Sequence, residues 1–80
     1  MYADEMFKML GYKKQDEEDC IMYYLPGAGG VTYFEFDKKY KKSRKIIDTG
    51  YGGYSSDINM QELQAKNEKE KELGWLGDDK

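Results

Sequence analysis

The feature that most restricts the fold is a pair of β-rich segments, CIMYYL at 20–25 and VTYFEF at 31–36, joined by the sequence PGAGG. Aromatic and β-branched residues are typical of strands, and proline followed by glycines is typical of a turn. The two segments are therefore predicted to pair as an antiparallel hairpin. Side chains alternate between the two faces of a strand, and Thr32, Phe34 and Phe36 form the predicted core face.

Helices are predicted before and after this hairpin. ADEMFKML at 3–10 has apolar residues at helical spacing. Asn59 and Glu62 approximate a capping box at the start of a second helix over 60–73, which consists almost entirely of strong helix formers. Each helix is followed by a Leu-Gly-aromatic sequence, which predicts a helix end with a left-handed glycine.

The remaining segments complete an α+β fold. RKIID at 44–48 is predicted as a third strand, and the pattern does not decide whether Ile46 or Ile47 faces the core. The polar sequence KKQDEED at 13–19 is predicted as a connection. We expect one domain over 1–80, with a short N-terminal helix, a three-stranded antiparallel β-meander and a C-terminal helix packed on the sheet. A fourth short strand is possible near 57–58.

The C-terminal helix lacks an apolar stripe along its middle. The sequence QAKNEKEKE is polar on all sides, and a helix of this kind is not held by apolar burial. We expect the helix to be pinned at its ends with a solvated middle, the alternative being a bridge to a partner. The apolar residues at its ends are Met60, Leu63, Leu73, Trp75 and Leu76.

Composition excludes several classes of function. The chain has no histidine, which removes the commonest general base, the commonest zinc ligand and any Ser-His or Cys-His pair. Cys20, the one cysteine, forms no internal disulfide and cannot build a structural zinc site alone. We therefore expect a protein that is not an enzyme, with no catalytic residue, cofactor or metal.

No signal sequence or membrane-spanning segment is visible, so we expect a cytoplasmic protein without a membrane partner.

A basic run, KKYKKSRK at 38–45, stands out in a chain of net charge −3. Basic side chains around an aromatic ring suit phosphates and stacked bases, which makes nucleic-acid contact one hypothesis. The alternative is a solvated hairpin tip, and the acidic pI of about 4.9 favours it. The candidate nucleic-acid-binding residues are Lys38, Lys39, Tyr40, Lys41, Lys42, Arg44 and Lys45.

The loop TGYGGYSSD at 49–57 is a second candidate site. Tyrosines on a Gly/Ser-rich loop provide contact area at low entropic cost, which favours protein binding. The alternatives are tyrosines packed on the domain's own sheet, and glycine loops that hold a small ligand or nucleotide, as a sponge would. The candidate partner-binding residues are Tyr51, Tyr54, Lys41, Lys42 and Arg44.

The two ends of the chain, ADEMFKMLGY at 3–12 and DINMQELQAKNEKEKELGWLG at 57–77, resemble short proteins encoded by bacteriophages and prophages of Gram-positive bacteria. These proteins commonly begin with ADEMF…LGY and end with M-x-E-L-x-A…ELGW, and Lys66 stands where they often have an apolar residue. The resemblance implies a phage accessory protein in the host cytosol and supplies no catalytic residue. We expect it to bind a host or phage protein, for instance to inhibit a host enzyme or an anti-phage defence system.

A homo-oligomer is also possible, because a chain this small gains stability by pairing.

Overall fold

The computed structural model describes residues 1–75, except for the side chain of Tyr54, so Leu76 lies outside the described residues. The fold class is confirmed as α+β, with an antiparallel meander between two helices. The five strands form one sheet in chain order. The elements are α1 (Ala3–Met9), β1 (Lys13–Asp16), β2 (Cys20–Gly27), β3 (Gly30–Asp37), β4 (Lys42–Asp48), β5 (Gly53–Ser55) and α2 (Met60–Glu72).

The meander has five strands, whereas the sequence predicts three with a possible fourth. The segment predicted as a connection forms β1, which pairs with β2 from Lys13 opposite Tyr24 to Asp16 opposite Ile21. All four residues of β1 are exposed and polar, as suits a sheet edge that must not pair with other chains. Residues 57–58, the possible fourth strand of the sequence prediction, form no strand. The short strand that pairs with β4 is β5, in the segment predicted as a loop.

Both helices pack against one face of the sheet. Phe34 and Phe36 are fully buried on that face, which confirms the predicted core face of β3. The Phe7 ring of α1 stacks on Tyr23 of β2 at 4.1 Å between centroids and contacts Phe34 at 5.3 Å. An aromatic core of this kind compensates for the low apolar content of the chain, because each ring buries a large apolar area.

The two helices end as predicted. Gly11 and Gly74 have φ values of +95° and +81°, which glycine adopts without steric cost. The N–H of the next residue then donates back into the last helical turn, from Tyr12 to the Phe7 carbonyl at 2.9 Å and from Trp75 to the Glu70 carbonyl at 2.8 Å. Each helix end thereby places an aromatic ring against the core.

The middle of α2 is not solvated, contrary to the sequence prediction. Ala65 is fully buried, and Glu62, Lys69 and Glu70 are less than a tenth exposed. Glu70 accepts a hydrogen bond from the Ser43 hydroxyl of β4 and forms an ion pair with Lys66 at 2.8 Å. Burial of α2 is thus achieved by a polar interface with the sheet, which a search for an apolar stripe does not detect.

Candidate interaction surface

The face of the sheet opposite the helices carries a row of apolar and aromatic side chains. The register places Tyr24, Tyr33 and Ile46 directly across from one another on β2, β3 and β4. The two tyrosine rings are 6.5 Å apart. Met22 lies two residues from Tyr24 on the same face, and all four side chains are half-buried. We call this surface, defined by Met22, Tyr24, Tyr33 and Ile46, the open sheet face.

The register also settles the orientation of the two isoleucines of β4. Ile47 is opposite Thr32 on the face that the helices cover, whereas Ile46 is opposite Tyr33 on the open sheet face. A shallow depression of about 250 Å³ lies beside Ile46, lined by Met22, Tyr33, Glu35, Ile46 and Asp48. The open sheet face is therefore uneven at its centre and offers room for an inserted side chain.

Charges around this surface are balanced in number. By register, three basic residues (Lys13, Lys42, Arg44) and three acidic residues (Glu35, Asp37, Asp48) share the face. Arg44 Nε donates to Glu35 Oε1 at 2.8 Å, which neutralises one pair. Asp37 accepts from the backbone N–H groups of Lys39 and Tyr40, so its carboxylate shapes the adjacent turn.

The basic run divides between the two faces of the sheet. Lys42 and Arg44 belong to the open sheet face, but Lys45 is on the helix side. Lys45 Nζ donates to Glu62 Oε1 at 2.8 Å and to the Asp57 carbonyl at 2.8 Å. Its side chain is only 11% exposed. Lys45 is therefore held by α2 beneath the helix and is not available to a phosphate.

The tip of the β3–β4 hairpin is basic and exposed. Lys38 is anchored to the β1–β2 connection through Asp16 at 3.3 Å and the Glu17 carbonyl at 3.0 Å. Lys39 Nζ lies 5.4 Å from the centroid of the Tyr40 ring, which is 63% exposed. Lys41 adopts a positive φ of 56° in the turn. The tip is thus a fixed, solvated corner next to the open sheet face.

The structure does not bring the predicted partner-binding residues together. Tyr51 is fully exposed in the turn after β4, whereas Lys41 immediately precedes β4. A strand of this length separates its ends by about 20 Å, at roughly 3.3 Å per residue. Tyr54 pairs with Ile47 through the backbone of β5, and its side chain lies outside the described residues. Lys42 and Arg44 therefore remain close to Lys41, and the tyrosine loop is a separate feature.

The glycines in the turns have conformational roles that do not require a ligand. Gly50 and Gly52 have positive φ values on either side of Tyr51, as a tight turn demands. Gly30, with φ +145°, lies so close to the Asp48 carbonyl that a β-carbon would collide with it. These contacts support the turn interpretation of the glycine loops, and the sponge hypothesis stays a prediction.

Cys20 begins β2 at the edge of the open sheet face, in the same row as Asp37 and Lys42. Desolvation, followed by the negative charges of Glu35 and Glu17, raises the pKa of its thiol. A thiol with a raised pKa is a poor nucleophile at neutral pH, so the site has no activated cysteine.

Sequence reasoning missed the open sheet face, although β2 carries a signal for it. CIMYYL is apolar at every position, and a strand with one solvated face normally alternates apolar with polar residues. A continuous apolar strand therefore indicates that both of its faces are to be covered. Met22 and Tyr24 are the apolar residues of β2 whose side chains lie on the face away from the helices.

Comparisons with protein-family models, with curated proteins and with solved structures give no significant match. Neither helix of the described residues is long and apolar enough to cross a membrane.

Proposed function

We propose that this chain is a small phage accessory protein that acts in the host cytosol by binding a host or phage protein, without catalysis of its own. The observation that carries the proposal is the open sheet face, where Met22, Tyr24, Tyr33 and Ile46 lie opposite the helix layer. Tyrosine and methionine are enriched at the centres of protein interfaces. The resemblance to phage proteins suggests that the bound protein is a host enzyme or a component of an anti-phage defence system, which the chain inhibits.

The charge pattern specifies the kind of protein surface that fits. The centre of the face is apolar, and the hairpin tip at one corner carries Lys39, Lys41 and Lys42, none of which forms an ion pair with another described residue. A complementary partner has an apolar anchor at its centre and carboxylates opposite the tip. Charge complementarity of this kind orients the encounter and accelerates it.

The test is affinity capture from lysate of phage-infected Gram-positive cells, with the wild-type chain compared with Tyr33→Glu. Tyr51→Glu is the matched control, because it makes the same substitution in a fully exposed tyrosine at the far end of β4. We expect Tyr33→Glu to reduce capture of the specific partner at least tenfold and Tyr51→Glu to retain it. The opposite result, with capture lost in Tyr51→Glu alone, would move the site to the tyrosine loop.

One observation favours nucleic acid as the second candidate. Tyr24 and Tyr33 lie side by side on a sheet surface next to Arg44, an arrangement on which single-stranded bases can stack. The three carboxylates of the same face and the net charge of −3 oppose it. Fluorescence anisotropy of a labelled single strand at about 50 and 200 mM salt tests it, because phosphate contacts weaken steeply with salt. Salt-sensitive binding that Tyr33→Glu abolishes would replace the protein partner with nucleic acid.

A further inference from the structure

A second apolar surface lies between the two helices. The helices run antiparallel, since the Ala3 N–H donates to Glu72 Oε2 at 2.7 Å at one end and the Tyr12 hydroxyl donates to Glu62 Oε2 at 3.0 Å at the other. A groove of about 330 Å³ runs between them. We call it the methionine groove; its lining residues are Met1, Met6, Met9, Leu10, Gln61 and Gln64.

Two of the apolar side chains that line this groove are not buried by other described residues. Met1 and Met9 are each 74% exposed, although both are large and apolar. Methionine is flexible and polarisable, so such a surface adapts to an apolar neighbour. Exposed apolar side chains gathered in one groove are typical of an interaction site, whereas scattered ones are not.

We propose that the methionine groove binds a second copy of this chain, so that the protein forms a symmetric dimer through its helix layer. In a two-fold dimer the same patch meets itself, so any net charge of the patch is brought against an equal net charge. Among residues 1–75, the side chains that line the groove are all uncharged, in a chain that is 36% charged. Self-association through this groove therefore avoids the repulsion that the acidic chain meets elsewhere.

The glutamines of the groove also favour a second copy of the chain as the bound molecule. Gln61 and Gln64 are three residues apart on α2 and so lie on one side of the helix. A glutamine amide has both donor and acceptor groups, so it can pair with the same residue of a second copy. The groove thus combines apolar contact with polar groups that are complementary to themselves.

The short helix α1 limits the area that a contact through the groove can bury. A stable interface buries about 800 Å² on each partner, and α1 is only about 10 Å long at 1.5 Å per residue. The contact is smaller than a standard interface. We therefore expect a weak dimer, with Kd between about 1 µM and 1 mM.

Sedimentation velocity from about 5 µM to 1 mM tests the dimer across this range of Kd. The wild-type chain should rise from its monomer mass of 9.4 kDa toward twice that mass. Met9→Glu should stay monomeric, because each copy would bring a carboxylate into an apolar contact and the two patches would then carry like charge. Tyr40→Glu is the matched control, since Tyr40 is 63% exposed at the tip of the β3–β4 hairpin and does not line the groove. It should dimerise as the wild type does.

Gln64→Glu is a second variant that introduces a charge without removing a methionine, and it should weaken the dimer at least tenfold. Circular dichroism confirms that each variant retains the helices. A wild-type chain that remains a monomer at about 1 mM would overturn the proposal. Equal dimerisation of Met9→Glu and wild type would also overturn it. Loss of the dimer in Tyr33→Glu, with Met9→Glu unaffected, would assign self-association to the open sheet face.

The dimer proposal and the proposed function can be disproved independently of each other. Met9→Glu is expected to capture the protein partner as the wild type does, because Met9 belongs to α1 and the partner surface is on the opposite side of the sheet. Tyr33→Glu is expected to dimerise normally and to lose capture. Each variant therefore tests one surface only.

Discussion

Lys45 of β4 and Glu62 of α2 form an ion pair at 2.8 Å beneath the helix, with both side chains only 11% exposed. Glu62 has three further contacts, since its second oxygen accepts from the Tyr12 hydroxyl and its backbone and carboxylate exchange hydrogen bonds with Asn59. One carboxylate thus joins the helix cap, the end of α1 and the sheet.

Lys45→Ala should lower the free energy of unfolding by about 2–4 kcal/mol, because it leaves a buried carboxylate without its cation. Lys42→Ala is the control on the same strand, and its exposed side chain predicts a change within about 0.5 kcal/mol. Urea denaturation at neutral pH measures both. Equal losses for the two variants would contradict a structural role for the buried pair.

Stability should fall in acid. Burial alone would raise the pKa of Glu62, but hydrogen bonds from Lys45, Asn59 and Tyr12 outweigh it and hold the pKa below 4.5. For Asp4, burial is likewise outweighed by hydrogen bonds from Tyr23 and Lys14, and the pKa lies below 3.8. The unfolded chain then binds more protons than the native chain, so stability is lost as pH falls through 4.5 and below.

Stability should also fall in strong base. Desolvation and hydrogen bonds to Glu62 and Asp4 raise the pKa values of Tyr12 and Tyr23 above 10.0. Tyrosines of the unfolded chain lose their protons first, so stability declines as pH rises past 10.0. Urea titrations across pH should give a plateau between the two limits. A native state that gains stability below pH 4 would contradict the assignment of the carboxylates.

Gly30→Ala should be destabilising by about 1–3 kcal/mol, because alanine is strained at φ +145° and its β-carbon would meet the Asp48 carbonyl. Gly29→Ala is a control from the same turn, with no atom within 4 Å of its added β-carbon. Its effect should stay within about 1 kcal/mol, in either direction. Melting temperatures of the two variants measure the difference, and similar values would show that the contact between β3 and β4 has relaxed.

Lys41→Glu together with Lys42→Glu should slow association with the protein partner about tenfold at low salt and leave dissociation nearly unchanged. Surface plasmon resonance with the captured partner separates the two rates. Lys71→Glu, a charge reversal on the exposed side of α2, is the control. A change confined to dissociation would indicate that the hairpin tip lies inside the interface, in direct contact with the partner.

The sequence predicts the strands and helices that local patterns determine. The hairpin of β2 and β3, the core face of Phe34 and Phe36 and the two Leu-Gly-aromatic helix ends all depend on residues near in sequence. β1 was missed because KKQD has no apolar residue, and its strand conformation comes from pairing with β2.

The candidate site was harder to predict for the same reason. Lys45 looks like its basic neighbours, and only the pairing register shows that it faces Glu62 from the other side of the sheet. Alternation along β3 places Tyr33 on the face opposite Phe34 and Phe36, but its grouping with Tyr24 and Ile46 depends on three strands in register. Such a surface is a property of the sheet and is not encoded in any one segment.

The polar interface beneath α2 has a consequence for the motions of the chain. In its middle, α2 contributes one fully buried apolar side chain, Ala65, whereas β3 contributes Phe34 and Phe36. Release of α2 uncovers part of the aromatic face of the sheet but removes few apolar side chains of the helix itself, so we expect it to need less free energy than opening the meander. Native-state hydrogen exchange should show amide protons of α2 exchanging through a local opening while those of β3 exchange only on global unfolding. We therefore expect the free energy of local unfolding to be lower for α2 than for the sheet.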